Sequence, residues 1–495
     1  MSIAFWSGEL SRKIVSRIVV ECDLVLKTPA HFGNGNRDDV LTDMPLLVDS
    51  LDEKTPLLTG ASIAGALRNY LSEFEKNNSS YKGISNLLFG ISKSDDNAND
   101  NGEQSPLIIE DSLGRNFSFE IRDGVTIEPQ SRTAKDDHLF NTQFWQAGTT
   151  FPLRFELLIR ETDDDAQKLK RALAIALHGL SQGNITLGSR KRRGFGNVAI
   201  KEFLIKEYDL TTPVGLCDWI KNGSEKLLDT HKEDLKTALA DLVSFGNNQN
   251  IFTMKITCSL DSSLIIRAVT DSQQAADIQH LHSQRFNELT QKLENKPVIS
   301  GTSLAGVLRA RATKIINTLT QTNQVKTTRI IQEMFGYSEE KTKSDSKASR
   351  LIVSEAVLEN VTTNLVQNRV SIDRFTSGAR NTALFNEQPA FGADDSIVVL
   401  NIKLINPENY EIGLLLLLLK DLWTGDLVIG GQSSVGRGRL KGKEAYLKLV
   451  DKDVKEWLIK EVNSKLIFEN GTPQELETYV AQHLLKHLEL ISEVA

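Results

Sequence analysis

Two glycine-rich segments hold the residues of this chain best suited to meet phosphate. They read Gly188-Ser-Arg-Lys-Arg-Arg-Gly194-Phe-Gly196 and Gly430-Gly-Gln-Ser-Ser-Val-Gly436-Arg-Gly438. Glycine lets backbone N–H groups approach an anion closely, and adjacent cations supply charge. Lys191, Arg192 and Arg193 do so in the first segment, Arg437 and Arg439 in the second. Neither segment is a P-loop, because no Gly-Lys-Ser/Thr follows, and neither has the placement of a dinucleotide fingerprint. A plain β-turn accounts for either one alone. The two together favour binding a polyanion.

The pairing extends along the whole chain. Thr59-Gly60-Ala61-Ser62-Ile63-Ala64-Gly65-Ala66-Leu67-Arg68 returns as Ser300-Gly301-Thr302-Ser303-Leu304-Ala305-Gly306-Val307-Leu308-Arg309. Leu88-Phe89-Gly90 returns as Met334-Phe335-Gly336, and Leu139-Phe140-Asn141 as Leu384-Phe385-Asn386. Matches in one order at a nearly constant offset mean a duplicated globular fold, since the period is far longer than a solenoid repeat. Any site the fold carries can therefore occur twice.

A chain of 495 residues is long enough for two large domains and a tail. Three dispersed cysteines argue against a disulfide framework or a cysteine zinc site. The N-terminal residues do not read as a signal peptide, and a cytoplasmic location is expected. The net charge of −7 weighs only weakly against nucleic acid, because phosphate responds to the local field and the bases are clustered.

Elements must position these groups. Residues 15–28 and 251–265 read as opening strands. In each copy an apolar pair then leads through the small-residue turn into an apolar-periodic helix. Ser62 and Ser303 stand near the helix start, where a hydroxyl can cap N–H groups and phosphate can bind. Arg68 and Arg309 follow on the same helices. Second helices over 166–180 and 410–422 precede the glycine-rich turns. This order predicts an α+β protein with two tandem ferredoxin-like βαββαβ domains. The expected divisions are a first domain over 1–211, a helical linker over 212–249, a second domain over 250–445, and a helical tail over 446–495.

The late Gly-x5-Gly-x-Gly turn, the Gly-x-Ser-hydrophobic-x-Gly-x-hydrophobic-Arg helix start and the ferredoxin-like order resemble the RAMP superfamily of CRISPR proteins. More narrowly, the chain looks like a fusion of two backbone subunits of a type III interference complex, of the III-D kind. The resemblance implies RRM-like domains with thumb hairpins, guide RNA and complementary target RNA as ligands, and other backbone and large subunits as partners. It further implies endoribonuclease action on the target strand.

The resemblance also implies where cutting occurs. Asp43-Met-Pro-Leu-Leu-Val-Asp49 matches the family's Asp-x-Pro-hydrophobic-hydrophobic-x-Asp segment, which makes Asp43 the catalytic candidate of the first copy. Asp277 occupies the corresponding place in the second, without the proline or the second acid. One carboxylate is a minimal site for Mg²⁺, so Asp43 and Asp277 are expected to hold a divalent ion weakly and with RNA present. The thumb would bring Arg132 in the first copy and Arg374 and Phe375 in the second, for phosphate and base stacking.

Histidines offer a competing chemistry. A neutral imidazole can act as general base on a 2′-hydroxyl without metal. His280 and His282 beside Asp277 are secondary catalytic candidates; His31 is expected as an RNA contact. A non-catalytic RNA-binding scaffold, with one or both aspartates idle, and a guide-processing nuclease using His31 remain the alternatives.

Overall fold

The computed structural model describes residues 13–35, 44–91, 103–128, 133–161, 166–239, 250–268, 276–287, 290, 292–320, 324–337, 346–451 and 453–493. Asp43 and Arg132 lie outside them.

The first copy opens on β1 (Ile14–Leu26) and passes through β2 (Leu57–Leu58) into α1 (Gly60–Asn77) and α2 (Ile84–Phe89). Short strands β3 (Leu107–Ile109) and β4 (Ser112–Leu113) follow, then a long hairpin of β5 (Phe119–Ile127) and β6 (Ala134–Trp145). The copy continues with β7 (Thr150–Arg160), α3 (Ala166–Ser181), β8 (Val198–Ile200) and β9 (Leu204–Asp209). Helices α4 (Pro213–Asn222) and α5 (Leu235–Ala238) come next. The central strand β1 pairs with β7 on one side and with β8 and β9 on the other. Alternate residues of β7 are buried, which directs one face of the sheet onto Leu67, Leu71, Leu173 and Leu177 of the helices.

The second copy repeats this path with β10 (Ile251–Leu260), β11 (Arg267–Ala268), β12 (Ile278–His280), β13 (His282–Asn287), β14 (Lys292–Ile299), α6 (Gly301–Leu319) and α7 (Gln324–Phe335). It continues through β15 (Leu351–Val353), β16 (Ala356–Thr362), the hairpin of β17 (Gln367–Ile372) and β18 (Ala379–Gln388), β19 (Phe391–Ile405), α8 (Asn409–Trp423) and β20 (Leu440–Val450). Strand β10 lies between β19 and β20, and β15 flanks β19, which is ferredoxin-like order. The sheet then grows by β21 (Val454–Val462) and β22 (Lys465–Asn470). The tail is thus helical only from α9 (Pro473–Thr478), through a π-helical turn at Tyr479–Leu485, to α10 (Lys486–Glu493).

Local chemistry explains the shared helix starts. Thr59 and Ser300 are the N-caps, each accepting from the N–H of Ser62 or Ser303. The capping hydroxyl is therefore one turn earlier than the sequence reading placed it. A side chain at Gly60 or Gly301 would collide with the carbonyl of Ile109 or Val353, so only glycine fits.

The segment after 211 packs back on the first copy. Glu21 accepts from the N–H of Leu227 at 3.0 Å, and Tyr208 and Trp219 meet edge-on.

Candidate functional site

Asp277 stands exposed at the start of β12, beside the hairpin of β17 and β18. Its N–H donates to Asn386 Oδ1 at 2.7 Å, while Asn386 N–H donates to Asp277 Oδ2 at 2.8 Å. Strand β12 runs parallel to β18, with Ile278 opposite Glu387. In the first copy Met44 bridges Thr142 in the same parallel sense, and Leu47 N–H donates to Phe32 O as Leu281 N–H donates to Ile266 O. The register thus sets Met44 against Ile278, and Asn141 against Asn386. Asp43, the residue before Met44, lies outside the described residues.

The two copies differ just beyond. Val48 bridges Pro56, whereas His282 pairs with Pro297. The extra residues of the second copy form the hairpin of β13 and β14, which turns toward the first copy.

The tip of the second thumb lies between β17 and β18. Asp373 Oδ1 accepts from the N–H of Phe375 at 3.0 Å and of Thr376 at 2.8 Å, a side-chain-closed turn. The Thr376 and Phe375 bonds hold the Asp373 carboxyl below the usual range. Phe375 is 93 % exposed, and Arg374 is exposed beside it.

The glycine-rich turns share a backbone but not an environment. Arg190 and Gln432 both adopt left-handed φ, as do Gly194 and Gly436. Lys191, Arg192 and Arg193 are half-buried against the second copy. The carbonyl of Arg193 abuts Gly301, Arg193 Nη1 donates to Leu351 O at 3.4 Å, and Gly194 packs on Ser354 and Glu355. Burial lowers the pKa of Arg193, with Arg309 and Arg192 adding repulsion; burial and Arg192 do the same to Lys191 and Lys403. These cations gather where the copies join.

Several expected RNA contacts are engaged within the fold. Arg437 is 3 % exposed and ion-paired with the fully buried Glu387, which also pairs with Arg369 and accepts from Gln432 Nε2 at 2.6 Å. It holds the glycine turn to the thumb strand instead of facing solvent. Arg439 remains exposed. Arg68 ties α1 to α2 through Asn86 Oδ1 at 3.2 Å and Gly90 O at 3.1 Å. Ser62 is exposed and Ser303 half-buried at the joint; Arg309 is exposed.

The three histidines lie within the packed fold to different depths. His31 is buried, its Nδ1–H donating to Gln143 O at 2.8 Å. Its place between glycine turn and thumb is taken by Ile265 in the second copy, since Ser189 N–H donates to His31 O as Gly431 N–H donates to Ile265 O. His280 is 1 % exposed, and burial pushes its pKa down to about 3. Its Nδ1 accepts from Ile266 N–H at 3.3 Å, and Nε2 finds no partner among the described residues. His282 is half-buried and bonded to His280 O and Thr363 Oγ1.

Sequence reasoning missed a buried charge network at the joint. Arg122 of β5 pairs with Glu120 at 2.7 Å and with Glu355 at 3.2 Å; Arg285 of β13 also pairs with Glu355. Ser283 Oγ donates to Glu120 Oε2 at 3.2 Å. Asn386 was missed as well, although its motif was visible in the Leu-Phe-Asn match of the two copies.

Among the described residues no cluster of three or more His, Cys, Asp and Glu side chains could hold a metal ion, and no helix is long and apolar enough to cross a membrane. No curated protein matches the chain. The family model of the RAMP superfamily matches twice, over residues 23–199 and 264–441, one match per copy. With both ferredoxin-like units covered, the chain belongs to the RAMP superfamily and is a tandem RAMP protein, which implies an RNA-binding, CRISPR-associated subunit.

Proposed function

We propose that this chain is a guide-RNA-binding backbone subunit of a type III CRISPR effector complex that cuts guide-paired target RNA at two places. The observation that supports this reading best is the constellation around Asp277. An exposed carboxylate, oriented by Asn386, stands at the foot of a hairpin whose tip presents Phe375 and Arg374. An aromatic tip can wedge into a duplex and stack on a displaced base. A splayed nucleotide can then adopt the in-line geometry in which its 2′-oxygen attacks the adjacent phosphorus.

In that step the P–O5′ bond breaks, leaving a 2′,3′-cyclic phosphate and a 5′-hydroxyl. The 2′-hydroxyl proton must leave and the 5′-oxygen must gain one. In this reading Asp277 takes the first proton and solvent water supplies the second, with Asp43 in the role of Asp277 in the first copy. One carboxylate beside an amide is a sparse donor set, suited to an ion that keeps most of its water. Asp277 and Asp43 would hold such a Mg²⁺, which supplies charge neutralisation at the phosphate when bound. The cations at the joint, Arg192, Arg193, Arg309 and Lys403, repel one another until a phosphate chain lies among them.

A scaffold role for the second copy is favoured by one feature: Asp277 accepts a backbone N–H, as a structural acid does. The deciding experiment is cleavage of end-labelled target RNA by the reconstituted guide complex. Wild type, Asp43→Ala, Asp277→Ala and the double substitution are compared in Mg²⁺ and in EDTA. Each single substitution should erase one distinct band while target binding persists, and EDTA should erase both. Bands that survive every substitution would make the chain a scaffold.

A further inference from the structure

The two thumb hairpins are anchored at the same place by different means. In the first copy Arg122 of β5 stands opposite Thr142, the residue after Asn141. In the second copy Gln367 of β17 stands opposite Glu387, the residue after Asn386. Arg122 reaches across the joint to Glu355 at 3.2 Å, so the first thumb is tied to the second copy. Gln367 instead accepts from Arg437 Nη2 at 2.7 Å, which ties the second thumb to its own glycine turn.

The second anchor is centred on one buried acid. Glu387 Oε1 accepts from Arg437 and from Arg369, while Oε2 accepts from Gln432 Nε2 at 2.6 Å. One carboxylate thus joins β17, β18 and the glycine turn. The first copy has no acid at this position. By the Asn141–Asn386 and Gly194–Gly436 matches, Thr142 stands where Glu387 does and Phe195 where Arg437 does. Thr142 accepts from Arg190 Nη2 at 3.0 Å, and Phe195 stacks on Phe144 at 4.4 Å. A buried carboxylate facing guanidinium groups is the more demanding of the two arrangements, because each lost bond leaves a buried charge unanswered.

Glu387 directly follows Asn386, which holds Asp277 by bonds of 2.7 and 2.8 Å. Successive side chains of a strand point to opposite faces, so residue 386 serves Asp277 while residue 387 serves the glycine turn. Ile278, which follows Asp277, is itself paired with Glu387 across β12 and β18. A shift at Glu387 therefore moves the group that orients the Asp277 carboxylate.

We propose that Glu387 is a positioning residue for the second cutting site: its bonds to Arg437, Arg369 and Gln432 fix β18, and through Asn386 they fix Asp277. The proposal rests on the cutting role given to Asp277 above. The second site is then pre-organised by its own copy, whereas the thumb of the first is held from across the joint. A displacement of about 1 Å at a reacting group costs about 100-fold in rate, so slow cutting with intact RNA binding is the mark of a broken lock.

The test compares wild type, Glu387→Gln, Glu387→Asp and the pair Glu387→Gln with Arg437→Met in the reconstituted guide complex, in single-turnover cutting of end-labelled target RNA. Glu387→Gln should slow the second cut by about 10- to 100-fold and leave the first cut and target affinity unchanged. Glu387→Asp, which keeps the charge, should recover part of the rate. The paired variant removes the arginine that Glu387→Gln leaves buried without a counter-charge, and Arg369, at 34 % exposure, reaches water by itself. Its melting temperature should recover while its second cut stays slow. Full recovery of that cut in the paired variant would mean that the lock only stabilises the fold, and would overturn the proposal. A wild-type rate in Glu387→Gln, or equal loss at both bands, would overturn it too. Hydrogen exchange in the full-length chain reads the lock without any cutting. The β17 and β18 amides should exchange at least about tenfold faster in the paired variant, with those of β5 and β6 unchanged. Unaltered protection overturns the proposal. Faster exchange, with both bands surviving Asp277→Ala, would uphold the lock and overturn the cutting role of Asp277.

Discussion

Asp277 and Asn386 hold each other by two reciprocal hydrogen bonds, each backbone N–H donating to the other's side chain. The pair ties Asp277, the residue before β12, to the thumb strand β18, so the carboxylate is held to the thumb. Replacing Asn386 by Ala should lower cutting at the second site by about 10- to 100-fold through misplacement, leaving the first site's band unchanged. Asn386→Asp, which keeps an acceptor for the Asp277 N–H, should recover part of the loss. Equal loss at both bands would show that Asn386 acts on the whole fold and not on this site.

Glu355 answers two arginines in the joint, and its side chain is 2 % exposed. Glu355→Ala leaves Arg122, itself 6 % exposed, with Glu120 as its remaining carboxylate partner among the described residues, and leaves Arg285 bonded to Ser283 Oγ and the Gln284 carbonyl. Removing one partner of a buried ion network costs about 3–5 kcal/mol. Urea denaturation should show that loss. The combined variant that also replaces Arg122 and Arg285 by Met should be markedly more stable than Glu355→Ala alone.

His280 makes the second copy acid-sensitive. Its folded pKa of about 3 lies below that of an unfolded histidine, so the unfolded chain takes up a proton that the folded chain refuses. Stability must fall as pH drops from about 6.5 toward 3, by up to about 1.4 kcal/mol per pH unit from this group. The first copy has Leu46 at this position. His280→Leu should flatten this part of the acid limb in denaturation at several pH values, and target cutting should persist. Lost cutting with intact folding would make His280 a catalytic group.

Phe375 contributes nothing to the core at 93 % exposure, so Phe375→Ala should leave the melting temperature unchanged. Its loss should weaken binding of guide-paired RNA by about 1–3 kcal/mol, the usual worth of one stacked base. Filter binding with guide–target duplex would show it. An unaltered affinity would mean that the thumb tip does not meet the duplex.

The duplication, the element order and the glycine turns were legible because each depends on local rules. A left-handed φ at Gly194 and Gly436, a cap at Thr59 and Ser300, and an apolar helix face are all written within a few neighbouring residues. Asp277 was reached through the family motif, and its partner Asn386 lay unread inside a repeat match, since pairing across β12 and β18 joins residues far apart in sequence. The burial of His31, His280 and Arg437 was also illegible. Each is a polar residue whose surroundings come from other elements, and a histidine in a loop looks the same whether strands cover it or not. The sequence by itself determined two copies of one fold with a basic turn in each. Only the tertiary structure decided that one turn is consumed in joining the copies and the other left outward, because docking depends on which faces meet and on whether Glu355 finds Arg122 and Arg285 there.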